Sequence, residues 1–288
     1  MWNLLLRTIS ICLSTLSNPG VRTMKFRLAL VAIVCLIAST ARADDLDKIQ
    51  KKGEIIIGVR AEAPPFGFLD KTKNVVTGYD VEFGKYIAKK LGVKPIFLTL
   101  SPTERIPALQ DNRVDLIIAA MAKNAKSEKI LEFSLGYFVA IQKFAAKPGR
   151  FKSLSQFNGA KVCFAQGTTT EHWLEENLPK TVRIPAVGYQ EAFSLLQTGG
   201  CEAVAGAGTI LKGNLSKLPK TDVVVTDDIP LGIEIFAMGM RKGEKRLKQM
   251  VNDALLESEK TGEAVRIYEH YFGENTAVPQ LRLFKIQG

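Results

Sequence analysis

The sequence predicts an α/β protein built as two lobes joined by two hinge strands, and three observations predict it. From Glu54 to about Asp228, short apolar runs bounded by turn signals alternate with amphipathic helical patterns, which is the signature of strands crossed by helices in a mainly parallel sheet. Two longer extended stretches, YFVAIQKFAAKPG (137–149) and GIEIFAMGM (232–240), bracket the second half of that alternation, as two crossings between lobes would. At 288 residues the chain is long enough for about two domains.

EIIIGVR (54–60) reads as the first strand, and Pro64-Pro65 breaks the chain after it. In YDVEFGKYIAKKLG (79–92), Val81, Phe83, Ile87 and Leu91 recur on one helical face, and Gly92 closes the helix. PIFLTL (95–100), helix ERIPALQDNR (104–113) and strand DLIIAA (115–120) follow. A second set comprises KVCFAQG (161–167), helix TTEHWLEENL (169–178), VRIPAVG (182–188), helix QEAFSLLQTGG (190–200), CEAVAGA (201–207) and VVVTDD (223–228). The last part, 245–273, is helical and is expected to pack back on the first lobe.

The N-terminal segment is set apart from this fold. From Met24, MKFRLALVAIVCLIASTARA carries Lys25 and Arg27 before a short apolar core and ends in the small-x-small pattern Ala41-Arg42-Ala43, a secretory signal peptide with cleavage after Ala43. Its apolar run is shorter than the ~20 residues a membrane span needs. Residues 1–43 hold five of the basic residues and no acidic one, so the formal charge falls from +10 to +5 without them. The remaining balance gives a mild preference for anions and no argument for nucleic acid. Cys163 and Cys201 are the two cysteines beyond the leader, and an exported pair is either a disulfide or two separate buried thiols. With His172 and His270 the only histidines, no metal-ligand spacing is present, and no cofactor is expected.

Five segments, GVRAEAPPFGF (58–68), GYDVEFGKYIAKKLG (78–92), DLIIAAM with LEFSLGYF (115–138), QGTTTE (166–171) and GGCEAV (199–204), together resemble the family 3 extracellular solute-binding proteins, the periplasmic receptors of polar amino-acid ABC importers. The resemblance runs in order over essentially the whole chain beyond the leader, and GYDVEF is its most specific piece. It implies a two-lobed Venus-flytrap fold of type II, with lobe 1 formed by 44–141 and 238–288 and lobe 2 by 142–237. It further implies a ligand in the cleft, an inner-membrane permease as partner, a monomer, a periplasmic location, and pairing of Cys163 with Cys201.

The same resemblance assigns cleft positions. Arg60 ends the first strand where relatives often meet the ligand, and a guanidinium there would take a carboxylate bidentately, although a solvated arginine is the plain alternative. Phe66 is either an aromatic packed on the ligand or a core residue. Ala120 and Met121 lie at the cleft edge of lobe 1. Thr168 and Thr169 open a helix whose first-turn N–H groups suit an anion, with simple N-capping the alternative. The T-x-x-R motif that clamps an α-carboxylate in the family falls on Asn124-Ala125-Lys126-Ser127, so Ser127 stands where the arginine would be. The aspartate that meets the α-ammonium falls on Ala207. Lys126 offers a point charge in place of the fork, or is a solvated loop lysine.

Losing one member of a buried charge pair typically costs about 2–5 kcal/mol. With both clamps absent, the expected function is a periplasmic binding protein for a small carboxylate-bearing solute that does not need an α-ammonium. An enzyme on the same fold, of the cyclohexadienyl dehydratase type, is the alternative, with Glu62 and Glu171 as its convenient acid or base groups. A third reading is an accessory or sensor protein with a degenerate pocket.

Overall fold

The computed structural model describes residues 45–219, 221–226, 229 and 232–288. The signal-peptide reading and part of VVVTDD therefore lie outside the described residues. The first element is helix α1 (Asp45–Lys52), tied down where the Asp45 carboxylate meets Arg241. Strand β1 (Glu54–Val59) follows, with Ile55, Ile57 and Val59 fully buried. A small antiparallel sheet of β2 (Glu62–Ala63), β3 (Gly67–Asp70) and β4 (Val75–Thr77) leads into helix α2 (Tyr79–Leu91). The predicted face of α2 is its buried face, and Gly92 ends it in the left-handed conformation, φ 70°, with its N–H on the Ala88 and Lys89 carbonyls. Strand β5 (Lys94–Thr99), helix α3 (Arg105–Gln110) and strand β6 (Leu116–Ile117) complete this half.

The chain then enters β7 (Leu131–Ala146), sixteen residues without interruption. Beyond it come β8 (Lys161–Ala165), α4 (Thr169–Asn177), β9 (Val182–Ala186), α5 (Tyr189–Gln197), β10 (Ala203–Ala207), α6 (Gly208–Leu215) and the two-residue β11 (Val224–Val225). Strand β12 (Ile233–Arg241) returns, and helices α7 (Lys245–Lys260) and α8 (Glu263–Phe272) close the fold.

Strand order is β5-β1-β6-β12-β7-β10-β8-β9. The sheet is parallel at its two ends, where β5, β1 and β6 run together and β10, β8 and β9 run together, and antiparallel in the middle, where β12 and β10 both oppose β7. The expected mainly parallel sheet is corrected accordingly to two parallel ends spliced by antiparallel crossings. The register shows how one strand serves both ends: residues 131–141 of β7 pair with β12, and residues 142–146 pair with β10. A strand this long can cross because its burial changes along its length rather than alternating on one face.

Cys163 and Cys201 form a disulfide with Cα atoms 5.9 Å apart, joining β8 to the segment before β10. Closing a loop of separation 38 contributes about 4 kcal/mol in the chain-entropy model. The core of the first half is aromatic: the Phe66 ring meets Tyr79, Phe138, Phe236 and Phe272 at centroid distances of 4.7–5.9 Å. Such edge-to-face packing adds about 0.5–1.5 kcal/mol per pair beyond area burial.

Candidate functional site

The site begins with a carboxylate that never reaches the surface. Asp80, from the GYDVEF segment, lies in the first turn of α2 and is fully buried. Its Oδ2 accepts the Ala120 backbone N–H at 2.8 Å, and its Oδ1 accepts the Tyr137 hydroxyl at 2.7 Å. Burial pushes the carboxyl up to about 6, against the opposing pull of those two donors and of Arg60 and Arg105. Ala120 has φ 45°, a left-handed conformation that costs an alanine about 1–2 kcal/mol, and the Asp80 bond holds it there. This turn is why the expected strand 115–120 stops at Ile117: the chain swings away from the sheet and lays residues 120–122 along a cavity of about 480 Å³. That volume suits a small-molecule ligand.

Ala120, Met121, Lys126, Ser127, Thr168, Thr169, Ala207 and Arg60 all line this cavity. Phe66 does not. It is fully buried in the aromatic core, because the Pro64-Pro65 turn sends its ring inward onto Tyr79 and Phe138. Ser127 spends its hydroxyl locally, donating to the Asn124 carbonyl at 3.1 Å, and Ala207 closes β10 with no polar side chain. The two positions expected to have lost their charges thus face one cavity. Lys126 is exposed at its rim, and His172, also at the rim, is exposed beside Glu175 and Glu176.

Arg60 is buried and already paired. Its guanidinium donates to Glu62 at 2.6, 3.0 and 3.1 Å and sits 5.3 Å over the Tyr189 ring. Burial alone would depress its pKa, and the Glu62 carboxylate more than reverses this, leaving it raised. Glu62, weighed as an acid or base, is committed to that pair.

Arg105, at the start of α3, escaped the sequence reading. It is 4 % exposed and donates to three backbone carbonyls: Pro102 at 3.1 Å, Ala119 at 3.1 Å and Gly167, across the cleft, at 3.0 Å. Among the described residues no carboxylate lies within ion-pair distance of it. Burial, helped by the like charge of Arg60, pushes its pKa down to about 10. Two of its five N–H groups remain for another acceptor. Across from it, α4 presents its N-terminal turn without a side-chain cap, because Thr168 donates back to the Ala165 carbonyl at 2.7 Å and Thr169 donates to Glu234.

The family 3 model of bacterial extracellular solute-binding proteins matches residues 55–274. The chain belongs to this family. It is 26 % identical to the ABC transporter glutamine-binding protein GlnH of Bacillus subtilis, over 88 % of this chain and 98 % of the relative. It is 26 % identical to the L-glutamate/L-aspartate-binding protein of Pseudomonas aeruginosa, over 85 % of this chain and 86 % of the relative. Among solved structures, an ancestral amino acid-binding protein, AncCDT-1, described as a precursor of cyclohexadienyl dehydratase, superposes with a TM-score of 0.72 at 30 % identity, covering 80 % of this chain and 99 % of its own. The two-lobed fold of such binding proteins is therefore the fold of this chain. In that setting the crossing strands β7 and β12 are the hinge, the contact from Arg105 to Gly167 spans the cleft, and Thr169 reaches Glu234 on the hinge strand.

Proposed function

We propose that this protein is the periplasmic solute-binding component of an ABC importer, holding a small carboxylate-bearing solute between a lobe of 44–141 with 238–288 and a lobe of 142–237. It acts as a monomer, is exported by the leader, and delivers its solute to an inner-membrane permease. The transport role is supported by the relatives' descriptions, and the glutamate/aspartate-binding relative agrees with an anionic solute.

One observation carries the ligand class: Arg105 is a buried guanidinium lining the cleft with carbonyl partners and, among the described residues, no carboxylate. A buried cation without a counter-ion is costly, and a ligand carboxylate would remove the cost while adding a charge-assisted pair. The uncapped turn of α4 faces the same cavity and would add its N–H groups to that carboxylate. Because Ser127 and Ala207 carry no charge, the solute is not held in the two-clamp pose of the family's α-amino acids. The dehydratase reading gains no support from the geometry, since Glu62 is held by Arg60 and Glu171 accepts the Gly167 N–H at 3.4 Å.

Native mass spectrometry of protein purified without refolding tests the proposal. A co-purified small molecule carrying a carboxylate is the expected result; a neutral or purely cationic one would overturn it.

A further inference from the structure

We propose that Glu234 and Arg105 are the two poles of the ligand site, so that the solute is dipolar, with its carboxylate on Arg105 and a cationic nitrogen on Glu234. The inference rests on the carboxylate reading above and adds the second group that the ligand must carry.

Glu234 lies near the start of the hinge strand β12, opposite Ala140 of β7, and lines the same cavity as Arg105, Thr169 and Ala207. Its carboxylate is held by neutral donors, the Thr169 hydroxyl and the Gln142 side chain. Among the described residues no lysine, arginine or histidine lies within ion-pair distance of it. Burial raises its pKa, opposed by those two donors and by the more distant charge of Arg105.

Of the charged groups lining the cavity, Arg60 is paired with Glu62 and Lys126, Glu171 and Glu175 complete the set, while Arg105 and Glu234 are a cation and an anion that face the same space without an ion-pair partner among the described residues. Each bears a desolvation cost that its neutral neighbours only partly offset. A neutral solute satisfies neither pole, and a simple carboxylate satisfies one while bringing a negative charge toward Glu234. A molecule with both charges satisfies both at once. Glu234 thus supplies, from a different element, the kind of group that is missing at Ala207, and the expectation of a solute without an ammonium gives way to one whose amine is displaced toward the hinge.

The test uses the chain from Asp44 to Gly288 and matched probe pairs differing only by an amine: glutarate with L-glutamate, butyrate with 4-aminobutyrate, and 3-phenylpropionate with L-phenylalanine, measured by titration calorimetry. In at least one pair the amine-bearing member is expected to bind about 30-fold tighter or more. Glu234→Gln should collapse that ratio toward one, and Glu234→Asp, which keeps the charge, should preserve part of it; far-UV circular dichroism confirms that each variant is folded. Binding of a deamino probe with no gain from its amine would overturn this inference and leave the carboxylate reading standing. An amine preference that survives Glu234→Gln would also overturn it, and binding of no probe in any pair would overturn both.

Discussion

Replacing Arg105 with methionine separates what the residue does for the fold from what it does for the ligand. The depression of its pKa to about 10 corresponds to roughly 3 kcal/mol spent on burying the charge. Methionine, of similar length and apolar, removes that cost. It also removes three hydrogen bonds to backbone carbonyls, each worth about 1 kcal/mol net. The two sums are of similar size, so the stability of the ligand-free protein should change by no more than about 1–2 kcal/mol in urea unfolding. Ligand affinity has no such offset. Removing the cation from a buried charge pair costs about 2–5 kcal/mol, so calorimetry with glutarate and L-glutamate should show a loss of about 30-fold to several thousand-fold in whichever binds. The bond to the Gly167 carbonyl across the cleft disappears as well, which moves affinity in the same direction. Binding within threefold of the parent protein would refute the placement of Arg105 on the ligand carboxylate. A large loss of stability with affinity retained would show that its role is structural.

Two further outcomes follow from the geometry around the cleft. Asp80, with its pKa raised from 3.8 to about 6, binds more protons folded than unfolded between those values, so its charge lowers stability as pH rises through about 4 to 6; Asp80→Asn, which cannot ionise, should gain up to about 3 kcal/mol relative to the parent between pH 4 and pH 7.5 in urea unfolding, and a pH-independent difference would count against the buried charge. Gly213 of α6 leaves no room for a Cβ, which would stand 2.1 Å from the Pro64 carbonyl; Gly213→Ala should push α6 away from the Pro64 turn and open the lobes, giving a larger radius of gyration by X-ray scattering and affinity weaker by about tenfold, and unchanged affinity would show that this approach is not part of closure.

The frame of this protein is legible in its sequence wherever a pattern is local. Helix α2 follows from its apolar spacing and Gly92, and the crossing strands from their length. What escaped depends on partners distant in the chain. Helix α6 is not legible because Gly208 and Gly213 weaken its helical pattern, and side chains or backbone from elsewhere in the chain press close at both positions. Arg105 sits in a short helix and looks like any solvated arginine until the Ala119 carbonyl, 14 residues on, and the Gly167 carbonyl, 62 residues on, enclose it. Arg60 ends a strand at the cleft, but its charge is answered two residues later by Glu62, and that pairing depends on how β2 turns back rather than on spacing. Glu234 did leave a signal. In GIEIFAMGM it is the only ionisable residue in a stretch expected to be a hinge, and an acid there must either face solvent or have work in the cleft. Its hydrogen bond to Thr169 decides between these, because it puts the carboxylate on the cavity side of the strand, where the charge lost at Ala207 is wanted. A site can therefore lose both charges that the family motif prescribes and still present one of each sign, provided they arrive from elements that the motif does not cover.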